Sequence, residues 1–231
     1  MPDPDADPDD AELDAGDFGS WLTGIMGIIG VPREVAGGHG SDVPCGTCTA
    51  CCTSSQFVHI APDESDALAH IPGELLFAAP GAPRGHVLMG YDEQGRCPML
   101  IEGACSIYEH RPRTCRTYDC RVFPAAGLEP TEPDKGEIAQ RVRRWRFRFA
   151  TPDGRVRRAA VGAAAVFVRA RPELLPEGAG VLTDTQLAVL ALEVHEAFLQ
   201  RDGDDGTLAP ATPRTAEVRV EIDRVRRRRD T

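Results

Sequence analysis

The stretch that decides the fold is CGTCTACC, residues 45–52, in which four of the chain's eight cysteines fall within eight positions. Cys45 and Cys48 are separated by two residues, a spacing that lets a tight turn direct both sulfurs at one ion. The remaining thiols lie further along the chain, at Cys97, Cys105, Cys115 and Cys120. Because all eight cysteines are concentrated in one part of the chain, we predict that they bind metal rather than fill a core.

Cys51 and Cys52 are adjacent, which limits how the first group can act. Neighbouring side chains point about 100° apart on a helix and to opposite faces of a strand, so one of the two should serve a different site or none. Cys51 also completes CxxCxxC, the first three positions of a bacterial ferredoxin run, whose fourth cysteine binds another cluster. We therefore expect at least one metal site to take ligands from both cysteine groups.

Eight thiols suit two four-coordinate sites. Tetrahedral zinc and iron–sulfur clusters both accept four cysteines, so the residue types leave the two metals open. Four arginines lie among the second cysteine group and are expected to offset the negative charge of metal-bound thiolates, namely Arg111, Arg113, Arg116 and Arg121. The alternative is that these arginines form a solvated helix face. His59 and His110 lie near cysteines as possible replacement ligands, but a structural role is favoured.

The acidic N-terminus predicts a disordered tail. The formal net charge of the chain is −10, and residues 1–17 hold seven Asp and one Glu with few apolar residues. This segment lacks the basic start of a secretory signal, and the apolar run at 21–31 is too short to span a membrane. We therefore expect a cytoplasmic protein, in which thiols stay reduced and available to metal.

The pattern along the chain indicates an α+β fold with a small cysteine-rich module at 18–125. Short strands are predicted at 57–60 and 86–91. Helices are predicted at 18–30 and from Pro62 through His70. Two loops are expected between these elements, at 31–44 and 78–85.

A mainly helical region, 126–201, should follow and pack on this module. Ile138, Val142, Trp145 and Phe149 recur at helical spacing, although RWRFRF at 144–149 also alternates as a strand would, and we favour the helix. A clearer helix is predicted at 155–170. Thr183 and Gln186 form a capping box for another. Residues 202–231 are predicted to be a linker and basic tail, with an alternating strand at 218–225.

The cysteine elements resemble the YkgJ-type cysteine-cluster family, which is described as zinc- or iron-chelating and related to flagellin lysine N-methylases. CGTCTACC, CPMLIEGACSIY and EHRPRTCRTYDC match its CxxCxxCC, CPxL, GxCxIY and RPxxCRxYxC elements in order, over about residues 40–125. The resemblance implies a metal-chelating module in which all eight cysteines occupy family positions: Cys45, Cys48, Cys51, Cys52, Cys97, Cys105, Cys115 and Cys120. It does not imply a reaction.

Three functions are therefore considered. The first is a metal-binding module, holding zinc or an iron–sulfur cluster, that presents a surface to a protein partner. The second is a cluster-dependent enzyme that modifies protein lysine, by analogy with the methylases. The third is nucleic-acid binding through the arginines of residues 141–158, which we rank last because the chain is acidic.

Overall fold

A computed structural model describes residues 11–29, 43, 45–176, 180–202 and 206–229. The chain divides into two compact units. The first comprises residues 1–36, 120–130 and 142–231, and the second comprises residues 37–119 and 131–141. Short strands accompany the helices in separate small sheets, so the fold is mixed α+β, as predicted. The sequence-based boundaries differ from these units, since residues 18–29 belong to the first unit and not to the cysteine-rich one.

The second unit is built around a three-stranded antiparallel sheet of order β2-β4-β3 and a short hairpin, β5-β6. Its elements are β2 (Val58–Ile60), α2 (Ser65–His70), β3 (Leu76–Ala78), β4 (Val87–Met89), β5 (Leu100–Ile101), β6 (Ala104–Cys105) and α3 (Arg113–Thr117). The predicted strands at 57–60 and 86–91 and the helix ending at His70 are confirmed, although that helix begins at Ser65 and not in the turn at Pro62. The loop predicted at 31–44 lies, apart from Val43, outside the described residues.

A small apolar core fills this second unit. It consists of buried side chains from the sheet, from the segment after α2 and from both sides of the hairpin, namely Val58, Ile60, Ile71, Met89, Met99 and Ile107. Cys97, Cys105 and Cys115 are partly buried against the same cluster. The thiols therefore lie at the edge of the core, where folding fixes their positions.

The first unit is mainly helical. Its elements are β1 (Leu13–Asp17), α1 (Phe18–Ile29), α4 (Val122–Ala126), β7 (Trp145–Arg148), α6 (Pro152–Arg169), α7 (Asp184–Val194), β8 (Leu199–Asp202), β9 (Thr207–Pro210) and α8 (Thr215–Arg229). One further helix, α5 (Gly136–Arg144), crosses the boundary between the units. The helices predicted at 18–30 and 155–170 are confirmed by α1 and α6. None of the helices that the structure describes is long and apolar enough to cross a bilayer.

The prediction of a disordered tail through residue 17 is wrong at its end, and so is the helix predicted through Phe149. Helix α5 stops at Arg144, and β7 pairs in parallel with β1, with Leu13 opposite Trp145. Ion pairs flank this two-stranded sheet, from Arg146 to Glu12 at 2.9 Å and from Arg148 to Asp14 at 3.1 Å. The residues of RWRFRF are compatible with a helix or a strand, and pairing with the distant strand β1 stabilises the strand.

The C-terminal prediction is also wrong, because residues 218–225 belong to helix α8 and not to a strand or a tail. Val218, Ile222 and Val225 are fully buried, whereas Val220 is half exposed. Separations of four and three residues place the three buried side chains on one helical face. The alternation of Val218, Val220 and Ile222 was compatible with both a strand and a helix. Burial of Val218, Ile222 and Val225 on one face stabilises the helix.

The N-terminus of helix α7 was predicted correctly from the residues that cap it. Thr183 Oγ1 accepts a hydrogen bond from the Gln186 amide at 3.2 Å, and the Thr183 amide donates to Gln186 Oε1 at 2.9 Å. The predicted capping box is thereby confirmed. Within α7, the side chains of Leu187, Leu190 and Ala191 are buried.

Candidate metal centre

Four cysteines of the second unit come together from four separate pieces of chain. Cys52 lies in a single 3-10 turn, Ala50–Thr53, and Cys97 precedes the hairpin. Cys105 lies on β6, and Cys115 lies on α3. We call these four residues the thiol cluster. One member comes from the first cysteine group and three from the second, and a metal site shared by the two groups stays a prediction.

A direct backbone contact holds the two groups together. The Cys97 amide donates to the Cys52 carbonyl at 2.7 Å, and the Ser55 amide donates to the Gly95 carbonyl at 2.9 Å. Gly95 has φ +77°, and a Cβ there would lie 2.4 Å from Ser55 Oγ. A side chain at position 95 is therefore unfavourable on both conformational and steric grounds, and this glycine lets the two segments approach.

Burial dominates the electrostatics of the thiol cluster. Loss of solvent raises the pKa of Cys52 to about 11 and that of Cys115 to about 12. Negative charge on the other members raises each pKa further, which shows that the thiols lie close enough to affect one another. No three sulfurs among the described cysteines lie within 4.8 Å of one another, so the cluster is looser than a closed tetrahedral zinc cage. Without metal, Cys52 and Cys115 are neutral at physiological pH.

Several donors oppose this effect and favour the thiolate. Burial raises the pKa of Cys97, but the amides of Met99 and Leu100 donate to its sulfur and lower it. The positive charge of Arg111 lowers the pKa values of Cys52 and Cys115. Oriented amides and a nearby cation are the surroundings that stabilise metal-bound sulfur.

Arg111 is the member of the predicted arginine set whose charge acts on the thiol cluster. Its guanidinium lies 3.5 Å from the centre of the Tyr108 ring, and its Nε donates to the Tyr108 carbonyl at 2.7 Å. The other members have different contacts: Arg113 pairs with Asp63 at 2.7 Å, and Arg121 donates to the Ala15 carbonyl in the first unit. The predicted offsetting charge is thus found at Arg111.

Cys45 and Cys48 form a neighbouring pair. Burial raises the pKa of Cys45, and Cys48 raises it further, whereas Arg141 and Arg111 lower it. Arg141 also donates to the Cys45 carbonyl at 3.2 Å. The sequence analysis missed Arg141, because it lies on α5, far from the cysteines along the chain, and no local pattern indicates the contact.

The last two predicted ligands differ from the rest. Cys51 is exposed although its neighbour Cys52 is half-buried in the thiol cluster, which agrees with the expectation that the two serve different roles. Cys120 is buried in the first unit, where Trp145 Nε1 donates to its sulfur at 3.2 Å. Metal ligation by each of the eight cysteines stays a prediction.

The two histidines near the cysteines contact other groups. His59 Nε2 lies 2.9 Å from His86 Nδ1, and His110 Nδ1 lies 3.0 Å from a carboxylate oxygen of Asp66. Both contacts agree with the favoured structural reading over replacement of a thiolate.

Half-buried thiols, amides directed at sulfur and a nearby guanidinium characterise this part of the chain as a cysteine-rich domain with surroundings that would stabilise metal-bound thiolates. Residues 44–135 match the family model "CxxCxxCC: Putative zinc- or iron-chelating domain". The match includes the thiol cluster and both Cys45 and Cys48. No curated protein and no solved structure was found to match the chain.

Proposed function

We propose that this protein binds a zinc ion or an iron–sulfur cluster through Cys52, Cys97, Cys105 and Cys115. The observation that carries the proposal is the meeting of the two cysteine groups, with the Cys97 amide bonded to the Cys52 carbonyl and the four thiols electrostatically coupled. Zinc and iron–sulfur clusters are both bound by four thiolates, which matches the number of ligands in this set.

Binding at this cluster would couple metal to folding. Cys52 and Cys97 are at the two ends of a segment that contains the β2-β4-β3 sheet, so a shared metal centre closes this segment as a loop. The partly buried positions of Cys97, Cys105 and Cys115 join the same centre to the apolar core. Binding free energy at such a site contributes directly to the stability of the surrounding fold.

We further propose that Cys45 and Cys48 begin a second site. Their CxxC spacing suits one ion, and the charge of Cys48 acts on Cys45. Cys51 is the remaining cysteine of the same unit, and we propose it as a further ligand of this site. The proposal places the protein in the cytoplasm, where a reducing environment keeps the thiols available as ligands.

The test compares two adjacent serine variants. Cys52→Ser removes a member of the thiol cluster, whereas Cys51→Ser changes its exposed neighbour and is the matched control. Both variants and the parent protein would be purified without oxygen and compared by elemental analysis and absorption spectroscopy. Iron with inorganic sulfide and visible sulfur-to-iron absorption would identify a cluster, whereas zinc without such absorption would identify a zinc site.

We expect Cys52→Ser to lose the metal of the thiol cluster and Cys51→Ser to keep it. Circular dichroism of both variants would show whether the remaining secondary structure persists. Retention of the full metal content by Cys52→Ser would contradict the proposed ligand set. Loss of the metal of the thiol cluster from both variants would mean that the adjacent cysteines share the same site.

A further inference from the structure

A second kind of ligand set lies away from the cysteines, on helix α2 and the Tyr108–His110 turn. Asp66 and His70 are four residues apart on α2 and therefore share one face of that helix. His110 reaches the same face from the turn that precedes α3. One carboxylate and two imidazoles are thereby brought together by separate elements of the second unit.

The ligand atoms of this trio are close to one another. His110 Nδ1 lies 3.0 and 3.1 Å from the two carboxylate oxygens of Asp66, and His70 Nδ1 lies 3.6 Å from Asp66 Oδ1. All three ligand atoms fall within 4.8 Å of one another. The two imidazole rings are stacked, with centroids 3.5 Å apart and an interplanar angle of 4°.

These distances fit the coordination sphere of a small metal ion. Zinc binds nitrogen and oxygen at about 2.0–2.2 Å, so neighbouring ligands of a tetrahedral site lie about 3.3–3.6 Å apart. The separations from Asp66 to the two histidines, 3.0 and 3.6 Å, lie close to this range. We propose that Asp66, His70 and His110 form a surface site for a divalent transition-metal ion, separate from the cysteine ligands.

Two interactions oppose metal binding at this site. His70 Nδ1 is also 2.8 Å from the Asp66 carbonyl, a hydrogen bond that would have to be given up, and the imidazoles must turn out of their parallel stack. The terminal torsion of a histidine side chain is broad, so this rotation costs little. Arg116 adds positive charge near Asp66, whereas the hydrogen bond from His110 lowers the pKa of Asp66 and keeps the carboxylate ionised. The expected affinity is therefore below that of the four-thiol centre.

The chemistry of the donors limits the ion. Two imidazoles and one carboxylate suit zinc, cobalt, nickel and copper, whereas calcium and magnesium prefer sets made of oxygen alone. Three protein ligands leave at least one position for water in a four-coordinate zinc site. Because Asp66 and both histidines are substantially exposed, a bound ion would exchange with solvent.

Cobalt(II) provides a probe that distinguishes this site from the thiols. The full-length protein, first saturated at its cysteine centre, would be titrated with Co²⁺ and followed by absorption spectroscopy and equilibrium dialysis. We expect one additional equivalent of cobalt, with ligand-field bands and without the sulfur-to-cobalt charge-transfer absorption of a thiolate site. His70→Asn and His110→Asn should each reduce the affinity for this equivalent at least tenfold.

His86→Asn is the matched control, because His86 belongs to the other histidine pair and lies outside the trio. It should keep the additional equivalent, and Cys52→Ser should keep it as well, since the trio does not use the thiol cluster. Failure of the cysteine proposal would thus leave this result unchanged. The inference is overturned if the protein binds no additional equivalent of cobalt, or if that equivalent shows the absorption of a thiolate site. It is also overturned if folded His110→Asn binds the additional equivalent as tightly as the parent protein.

Discussion

Zinc uptake by the metal-free protein should release at least three protons for the first equivalent bound at pH 7.5. The pKa values of Cys52 and Cys115 are raised to about 11 and about 12, and that of Cys97 is also raised. All three are therefore thiols in the metal-free protein, whereas cysteine binds zinc as the thiolate. Each of them must lose its proton when zinc binds.

The size of the effect follows from Cys115. With a pKa of about 12, deprotonation at pH 7.5 costs about 6 kcal/mol, which the metal–sulfur bond must offset. Cys52 and Cys97 add to this cost, so the zinc affinity at pH 7.5 should lie below that of structural zinc sites, which provide about 10–16 kcal/mol of apparent binding free energy. With three protons displaced, the apparent association constant should rise about a thousandfold for each pH unit between 7 and 9.

The assay is isothermal titration calorimetry under anaerobic conditions, in buffers of different ionisation enthalpy. The dependence of the observed heat on that enthalpy gives the number of protons released. Cys52→Ser should release at least one proton fewer, whereas Cys51→Ser should match the parent protein. Release of one proton or fewer by the parent would refute the reasoning, because the buried thiols would then not be the groups that bind zinc.

Three further predictions concern the segment contact, the charge at the cluster and a helix end. Gly95→Ala should lower the free energy of unfolding of the metal-loaded protein by at least about 1 kcal/mol, because its Cβ meets Ser55 Oγ at positive φ; urea unfolding measures this. Arg111→Gln should weaken metal binding, since the lost charge no longer lowers the pKa values of Cys52 and Cys115; competition with a chelator measures this. Thr183→Ala should cost about 1 kcal/mol through loss of its cap, measured by thermal unfolding, without changing metal content.

Matched variants control each of these predictions. Ser55→Ala combined with Gly95→Ala should recover part of the lost stability, and a double variant no better than the single one would exclude the Oγ contact as the cause. Arg111→Lys keeps the charge and should retain more metal affinity than Arg111→Gln; equal loss would exclude the charge as the cause. A loss of metal from Thr183→Ala would contradict a purely local role of the capping box.

Structural features whose interacting residues are close in the sequence were easier to predict than features that depend on distant residues. The capping box at Thr183 and Gln186 was predictable because both partners lie within one turn. Strand β7 was not predictable in the same way, because the local pattern of Trp145 to Arg148 fits both a strand and a helix. Pairing with the distant strand β1 decides between them. Long-range pairing therefore overrode a local pattern.

The same distinction applies to the thiol cluster. The CxxC spacing and the adjacency of Cys51 and Cys52 indicated that ligands from the two groups would mix, and the structure places Cys52 with the second group. The particular set required the contact between Cys97 and Cys52, which the sequence does not encode locally. A protein partner stays a prediction, lysine methylation stays an alternative hypothesis, and nucleic-acid binding stays the hypothesis that we rank last.

The pairing of β1 with β7 has a consequence for the order in which the protein is made. Leu13 leaves the ribosome early, but its partner Trp145 is translated more than half a chain length later. All four members of the thiol cluster, from Cys52 to Cys115, emerge before that partner does. If the thiol cluster binds metal as proposed, the nascent chain could bind it before β7 is available to pair with β1, and a supply of metal during translation would then act on the earlier part of folding.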